Sequence, residues 1–301
     1  MEIGTIWFNG ELVKAADTKV GLLTHALHYG SGVFEGIRAY ETDRGPGVFH
    51  LSDHMRRLHR SAAQYYMEVP YSVEELCAAT HAVIAANELP SCYVRPLVFR
   101  GEGEMGVNPL NCPIHTMIAA WSWGAYLGDD AIRNGIRCMI SSWRRIGPNM
   151  IPATAKASGQ YLNSQLAKME ALKHGYHEAI LLNEAGLVAD GSGENVFAVK
   201  NGVLYTPPVS SSCLPGITRE AVMEMAATIG IQTVERDLTR AELYFADEVF
   251  LTGTAAEVTP VASLDDHEIG KGPITERIQE IFFAVVHGEH ELSKTFLEYP
   301  A

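Results

Sequence analysis

The chain has 301 residues, 47% of them hydrophobic, and a formal net charge of −13, which describes a globular protein large enough to bury substantial cores. The acidic balance, with no basic run longer than the pairs Arg56-Arg57 and Arg144-Arg145, argues against a nucleic-acid partner. No apolar run approaches the ~20 residues of a membrane-spanning helix, and five scattered cysteines without a C-x-x-C pair suit reduced thiols rather than a disulfide frame or a zinc site.

The opening residues Met1-Glu2-Ile3-Gly4 lack a basic segment followed by an apolar one, so no signal peptide and a cytoplasmic location are expected. Residues 5–13 read as strand, turn and strand, with Asn9-Gly10 as the hairpin signal. His25 to Arg38 interleaves Gly30, Gly32 and Gly36 with Tyr29 and Phe34, a pattern for backbone bending around something or simply turning between strands. Leu51 to Tyr66 reads as an amphipathic helix, with Ser52 as N-cap and Leu51, Met55, Leu58, Ala62 and Tyr65 on one stripe. Arg56, Arg57 and Arg60 fall on its polar side. His50, His54 and His59 lack an acidic or cysteine partner at ligand spacing, so no metal site is expected.

Ser72-x-x-Glu75 is a capping box opening a helix to about Asn87. Residues 92–99 read as a strand with Tyr93 and Arg95 on one face, and Pro96 places it near an edge or a bulge. Gly101-x-Gly103-x-x-Gly106 matches a dinucleotide fingerprint in letters only. Two glutamates lie inside it, and Val107-Asn108-Pro109 rather than a helix follows. Ile114 to Trp121 is an apolar strand.

Trp123 to Asp130 breaks the pattern. The division expected is a small domain over 1–124, a linker over 125–135 and a large domain over 136–301. Ile136 to Ser142 is a strand. Gly159 to His174 reads as a helix with Leu162, Leu166, Met169 and Leu172 inward. Glu194 enters an apolar strand from a glycine-flanked turn, which implies a partly buried carboxylate in need of a cation or N–H partner. Leu214-Pro-Gly216-Ile217-Thr218 runs into a helix, and free N–H groups at such a start suit an anion. Thr252-Gly-Thr254-Ala255 ends a strand with a second small-residue turn.

Lys156 lies in Ala155-Lys-Ala-Ser-Gly159, where nothing bulky prevents a planar ligand from reaching its amine, and Tyr161 follows five residues on. A lysine amine forms a Schiff base with a carbonyl cofactor. An aldehyde for Lys156, a pyridinium for Glu194 and a phosphate for Gly216, Ile217, Thr218 and Thr254 together specify pyridoxal 5′-phosphate.

Ordered segments over nearly the whole chain carry a resemblance. They include Trp7-Phe-Asn-Gly10, His25-Ala-Leu-His-Tyr-Gly30, Val33-Phe-Glu-Gly-Ile-Arg38, Tyr93-Val-Arg-Pro96, Gly193-Glu-Asn195, Leu214-Pro-Gly-Ile-Thr-Arg219 and Gly253-Thr-Ala-Ala-Glu257. The sequence resembles branched-chain amino acid aminotransferases of the fold-type IV pyridoxal-phosphate group. The resemblance implies an α/β (α+β) fold of two domains, the smaller N-terminal and the larger built on a mixed sheet or barrel with helices.

It also implies roles. Lys156 is the Schiff-base lysine and later the proton shuttle. Glu194 pairs with the pyridinium nitrogen, Tyr161 bonds the cofactor's phenolic oxygen, and Arg57, Ile217, Thr218 and Thr254 hold the phosphate. Phe34, Gly36, Tyr126 and Ala255 wall the pocket. Thr254 and Ala255 bind the substrate α-carboxylate, and Tyr93, Arg38 and Arg95 belong to the substrate pocket, with Arg95 meeting the side-chain carboxylate of glutamate. Tyr29 and Val107 enter from a partner subunit, so a dimer or an assembly of dimers is implied. Met150, Ala153, Thr154 and Asp190 depart from the family's pattern. The implied reaction is reversible amino transfer between L-leucine, L-isoleucine or L-valine and 2-oxoglutarate. A D-amino acid transaminase, an (R)-amine transaminase or an aminodeoxychorismate lyase would keep Lys156 and Glu194. A non-catalytic pyridoxal-phosphate or anion-binding protein is the alternative of another class.

Overall fold

The computed structural model describes residues 3–124 and 128–300; the expected pocket residue Tyr126 lies outside them. The chain opens with β1 (Thr5–Phe8), β2 (Glu11–Lys14), α1 (His25–Tyr29), β3 (Gly32–Phe34), β4 (Ile37–Thr42) and β5 (Gly45–Phe49). Helices α2 (Leu51–Gln64) and α3 (Val73–Ala86) and strands β6 (Cys92–Arg100) and β7 (Ile114–Trp121) follow. Then come α4 (Asp129–Asn134), β8 (Ile136–Arg144), α5 (Tyr161–Lys173), β9 (Glu178–Leu182), β10 (Val188–Gly191), β11 (Asn195–Lys200) and β12 (Val203–Thr206). The rest is α6 (Ile217–Thr228), β13 (Thr233–Glu235), α7 (Arg240–Tyr244), β14 (Glu248–Gly253), β15 (Glu257–Leu264), β16 (His267–Glu268), α8 (Pro273–Val286), α9 (Ser293–Phe296) and β17 (Leu297–Glu298).

Two compact units result: Met1–Trp123 with Ala155–Gly159 and Ala284–Ala301, and Gly124–Thr154 with Gln160–Phe283. The linear division into 1–124, 125–135 and 136–301 does not describe them, because two later segments return to the first unit. Ala157 bridges to Val33, and β17 pairs with β5. Such long-range pairing leaves no local mark in a sequence. The segment expected as linker contains α4.

In the first unit the strands run β17-β5-β4-β6-β7-β1-β2, with β3 also on β6. Asn9 and Gly10 turn the β1–β2 hairpin with φ of +49° and +103°, as a two-residue turn requires. Strand β6 is central, and Pro96 sits in its middle rather than near an edge. The reason lies in its neighbouring strands. On one side the neighbour changes there from β4, paired at Val94, to β3, paired at Leu97, so a missing N–H costs nothing. Pro96 O accepts from Glu35 N–H at 2.9 Å.

Helix α2 buries Leu51, Met55, Leu58 and Ala62 completely against this sheet and α3. Each of the larger three contributes about 1.5–3 kcal/mol. Its N-cap is His50 in a left-handed conformation (φ +48°), not Ser52, which lies inside the helix. The α3 capping box has both of its bonds, Glu75 N–H to Ser72 Oγ at 3.2 Å and Ser72 N–H to Glu75 Oε2 at 2.7 Å. Gly101 to Gly106 lies in the connection between antiparallel β6 and β7, and no helix follows it.

In the second unit the order is β10-β9-β8-β15-β14-β11-β12-β13, with β16 on β15. Strand β8 is parallel to β9 and β15, and β12 to β13; the remaining pairs are antiparallel. Helix α5 faces the other way from its expected stripe. Leu162, Leu166, Met169 and Leu172 are exposed, and Ser164, Ala167 and Ala171 are buried. Ala167 and Ala171 pack on Ala179 and Leu181 of β9, so small side chains let the helix lie close to the sheet while the bulky ones turn outward.

Candidate active site

Lys156 is held by its backbone within the first unit. Its N–H donates to Ser61 Oγ at 3.0 Å, and its carbonyl accepts from Phe34 N–H at 3.0 Å. Ala155 and Ala157 beside it are buried, while Lys156 itself is half-buried. Gly30, with φ +65°, packs on Gly159 so closely that a Cβ would stand 3.0 Å from Gly159 Cα. The lysine Nζ lies 5.3 Å from the Phe34 ring centroid.

Helix α2 presents His54, Arg57 and Ser61 on one face, three and four residues apart. All are buried, so Arg57 is not on a solvated side as the hydrophobic pattern suggests. Its Nε and Nη2 donate to Oε1 and Oε2 of Glu35 at 2.7 and 2.8 Å, and His54 Nδ1 meets Oε2 at 2.7 Å. Glu35 is fully buried. Burial works to raise its pKa, but the Arg57 charge and hydrogen bonds, helped by His54, outweigh it and hold the carboxyl well below the usual range. For His54, burial lowers the pKa against the opposing pull of Glu35, and the charges of Arg57 and Lys156 lower it further. His50 Nδ1 bonds Asp53 at 2.8 Å. Among the described residues no group of three His, Cys, Asp or Glu has a metal-holding arrangement.

Phe34, Gly36, Tyr93 and Arg95 come together. Arg95 Nη2 donates to the Tyr93 hydroxyl at 2.7 Å, and its guanidinium lies 4.6 Å from the Phe34 ring centroid. Gly36 is required there, because a Cβ would stand 2.1 Å from the Tyr93 hydroxyl. Arg38, opposite Tyr93 in the β4–β6 register, is buried. Tyr29 and Val107 are exposed on this unit; the Tyr29 hydroxyl donates to Met105 O at 2.9 Å.

In the second unit Glu194 closes a tight turn. Gly191 N–H donates to Glu194 O at 2.6 Å and Gly193 N–H to Glu194 Oε2 at 3.0 Å. A Cβ on Gly191 would stand 2.7 Å from that same Oε2. Arg145 fixes the approach, donating to Asp190 Oδ1 at 2.7 Å and Gly191 O at 2.6 Å. Glu194 is buried, and among the described residues no ion pair reaches it. Burial pushes its carboxyl up to about 8, with the charge of Glu178 adding and Gly193 N–H and Lys168 opposing.

Strand pairing sets Thr252 opposite Asn195, so Gly253 packs on Glu194 and Thr254 and Ala255 follow directly. Asn195 Nδ2 donates to Leu214 O at 2.9 Å, and a Cβ on Gly216 would stand 2.0 Å from Asn195 Oδ1. Thus β11 places the start of α6. Gly216 is the N-cap of α6 and no side chain caps the helix; Glu220 N–H is the first to bond back, to Gly216 O at 3.0 Å. The N–H groups of Ile217, Thr218 and Arg219 are therefore at the positive end of the helix without intrahelical acceptors. Tyr161 opens α5.

Four contributors escape a reading of the sequence: Glu35, His54, Ser61 and Asn195. For Glu35 the available signal is an acid between apolar strand residues, which needs a buried cation.

A buried carboxylate without a cation and an uncapped helix N-terminus fit a ring nitrogen and a phosphate, the two ends of pyridoxal 5′-phosphate. The profile of the Amino-transferase class IV family matches residues 32–264, and the chain belongs to that family. It is 52% identical over 290 residues to the branched-chain-amino-acid aminotransferase of Escherichia coli (strain K12), covering 95% of this chain and 94% of that one. The crystal structure of the Escherichia coli branched-chain amino acid aminotransferase matches with a TM-score of 0.97 at 50% identity, covering 99% of both chains. The crystal structure of the branched-chain amino acid aminotransferase from Thermobaculum terrenum in its PLP-form, the holo-form, matches with a TM-score of 0.92 at 34% identity, covering 99% of this chain and 98% of that one. The fold is the fold-type IV architecture.

Proposed function

We propose that this chain is a branched-chain-amino-acid aminotransferase, moving an amino group reversibly between L-leucine, L-isoleucine or L-valine and 2-oxoglutarate with pyridoxal 5′-phosphate. The observation that carries the substrate assignment is the cluster of Phe34, Gly36, Tyr93 and Arg95. An aromatic wall suits an apolar side chain, and one guanidinium at that wall suits the side-chain carboxylate of glutamate.

The bound cofactor supplies an aldehyde that takes the amino group and a ring that draws electron density from the α-carbon. Lys156 would be the attachment point and, through its Nζ, the base that carries the α-proton. Glu194 would hold a proton on the ring nitrogen, Tyr161 would bond the phenolic oxygen, and Arg57, Ile217, Thr218 and Thr254 would hold the phosphate. Ala255 and Thr254 take the substrate carboxylate.

The working form is a homo-oligomer in a cytoplasm. Exposed Tyr29 and Val107, offered to a neighbouring subunit, support the first part, as does the apolar outer face of α5. Five free cysteines support the second. Among the described residues no helix is long and apolar enough to cross a membrane.

An absorbance scan of the cofactor-loaded protein tests the activity. L-leucine should convert the band of the lysine-bound cofactor to that of pyridoxamine 5′-phosphate, and 2-oxoglutarate should restore it. Conversion only by D-alanine or by (R)-1-phenylethylamine would overturn the substrate assignment and leave the family intact.

A further inference from the structure

We propose that Glu35 is a positioning residue for phosphate recognition, acting through Arg57; this rests on the cofactor reading above. Glu35 lies in the two-residue break between β3 and β4, where its N–H is tied to Pro96 O at 2.9 Å. Its place is therefore set by the central strand of the sheet. Its carboxylate takes both Nε and Nη2 of Arg57, a fork that fixes the plane of the guanidinium and hence the direction of Nη1, the nitrogen outside the fork.

His54 completes the arrangement by donating Nδ1–H to Glu35 Oε2. It stays a neutral donor because burial disfavours its charged form, so the triad carries one positive and one negative charge. The same face of α2 reaches the catalytic segment, where Ser61 accepts the N–H of Lys156 at 3.0 Å. One helix face thus sets both the backbone of the attachment lysine and the aim of the phosphate-binding arginine. Glu35 serves a second purpose before any phosphate arrives, since a buried guanidinium with no counter-charge is costly.

The test compares dissociation constants for pyridoxamine 5′-phosphate and for pyridoxamine, measured by fluorescence titration of the cofactor-stripped full chain. A role through Arg57 moves only the phosphorylated ligand, whereas a loosened structure moves both. Glu35→Gln and Glu35→Asp should each weaken pyridoxamine 5′-phosphate by about 10- to 100-fold, the range that orienting partners command at metal sites, and pyridoxamine by less than about twofold. Glu35→Asp keeps the charge and so protects the measurement if Glu35→Gln does not fold.

In an Arg57→Gln background, Glu35→Asp should cause no further loss, because the two residues act as a unit. Equal losses for both ligands, no loss, or an undiminished loss in the Arg57→Gln background would overturn the proposal. Wild-type protein that does not prefer the phosphorylated ligand would instead overturn the cofactor reading, and the role of Glu35 with it.

Discussion

Ser52, in the first turn of α2, donates its backbone N–H to Glu298 Oε1 at 2.7 Å and its hydroxyl to the other oxygen of the same carboxylate. The left-handed N-cap His50 offers no side-chain cap, so a residue 246 positions away serves instead. Pairing of β17 with β5 delivers it. The acid also meets the positive end of the helix dipole. Because α2 carries Arg57 and Ser61, the last strand supports the helix on which the site depends. Glu298→Ala should therefore lower stability by about 1–2 kcal/mol. Urea unfolding would register this as a lower midpoint at unchanged slope; an unchanged midpoint would mean that the cap is replaced by water at no cost.

The proposed role of Arg95 is to separate the two substrate classes. Its guanidinium lies against Phe34 and bonds the Tyr93 hydroxyl, so an apolar side chain needs only the aromatic wall and glutamate needs the charge. Arg95→Gln should lower kcat/KM for L-glutamate by about 10- to 100-fold, the scale of a lost charged hydrogen bond, and that for L-leucine by less than about threefold. Equal losses for the two donors would show that Arg95 shapes the pocket without selecting the carboxylate.

How much of this is legible in the sequence follows from the range over which each signal acts. The turn at Asn9-Gly10 and the capping box at Ser72 are local, and the structure has them. The cap on α2 and the break opposite Pro96 are set by distant strands, so local reading places Ser52 and Pro96 wrongly. The inward face of α5 is misread because a rule that turns bulky residues inward fails where Ala167 and Ala171 seat a helix close on a sheet. Glu35 and the burial of Arg57 escape for a related reason. A buried ion pair has the same letters as a solvated one, and hydrophobic periodicity assigns both to the polar face. Lys156 and Glu194 stand out by their small-residue settings, and the ordered motifs join them.

Stability of the cofactor-free protein should fall as pH rises. The Glu194 carboxyl has an ordinary value of 4.5 and is pushed up to about 8 by burial and Glu178. Below about 4.5 the group is protonated folded or unfolded and contributes no slope. Between about 4.5 and 8 the folded form keeps a proton that the unfolded form has lost, so raising the pH favours unfolding; above about 8 the loss is complete, on the order of a few kcal/mol. Thermal unfolding at pH 6 and pH 9 measures the difference. Glu194→Gln should flatten the profile over this window, and a profile unchanged by that substitution would assign the slope to another group.

Lys156→Ala should separate chemistry from folding. The backbone bonds to Ser61 and Phe34 do not involve the lysine side chain, and alanine is already the residue on both sides of it. The melting temperature should therefore stay within a few degrees of wild type, since a half-buried side chain removed to alanine costs little where no cavity forms. Binding of pyridoxamine 5′-phosphate should persist, because its phosphate and ring nitrogen are assigned to other residues. Turnover of L-leucine with 2-oxoglutarate should fall by about 10⁴-fold or more, at or beyond the upper range for one positioned acid–base group, because the attachment point is lost as well. Single-turnover absorbance with stoichiometric pyridoxamine 5′-phosphate would report the loss without interference from cofactor dissociation. Residual transamination within about tenfold of wild type would mean that another group carries the α-proton, and the assignment of Lys156 would fail.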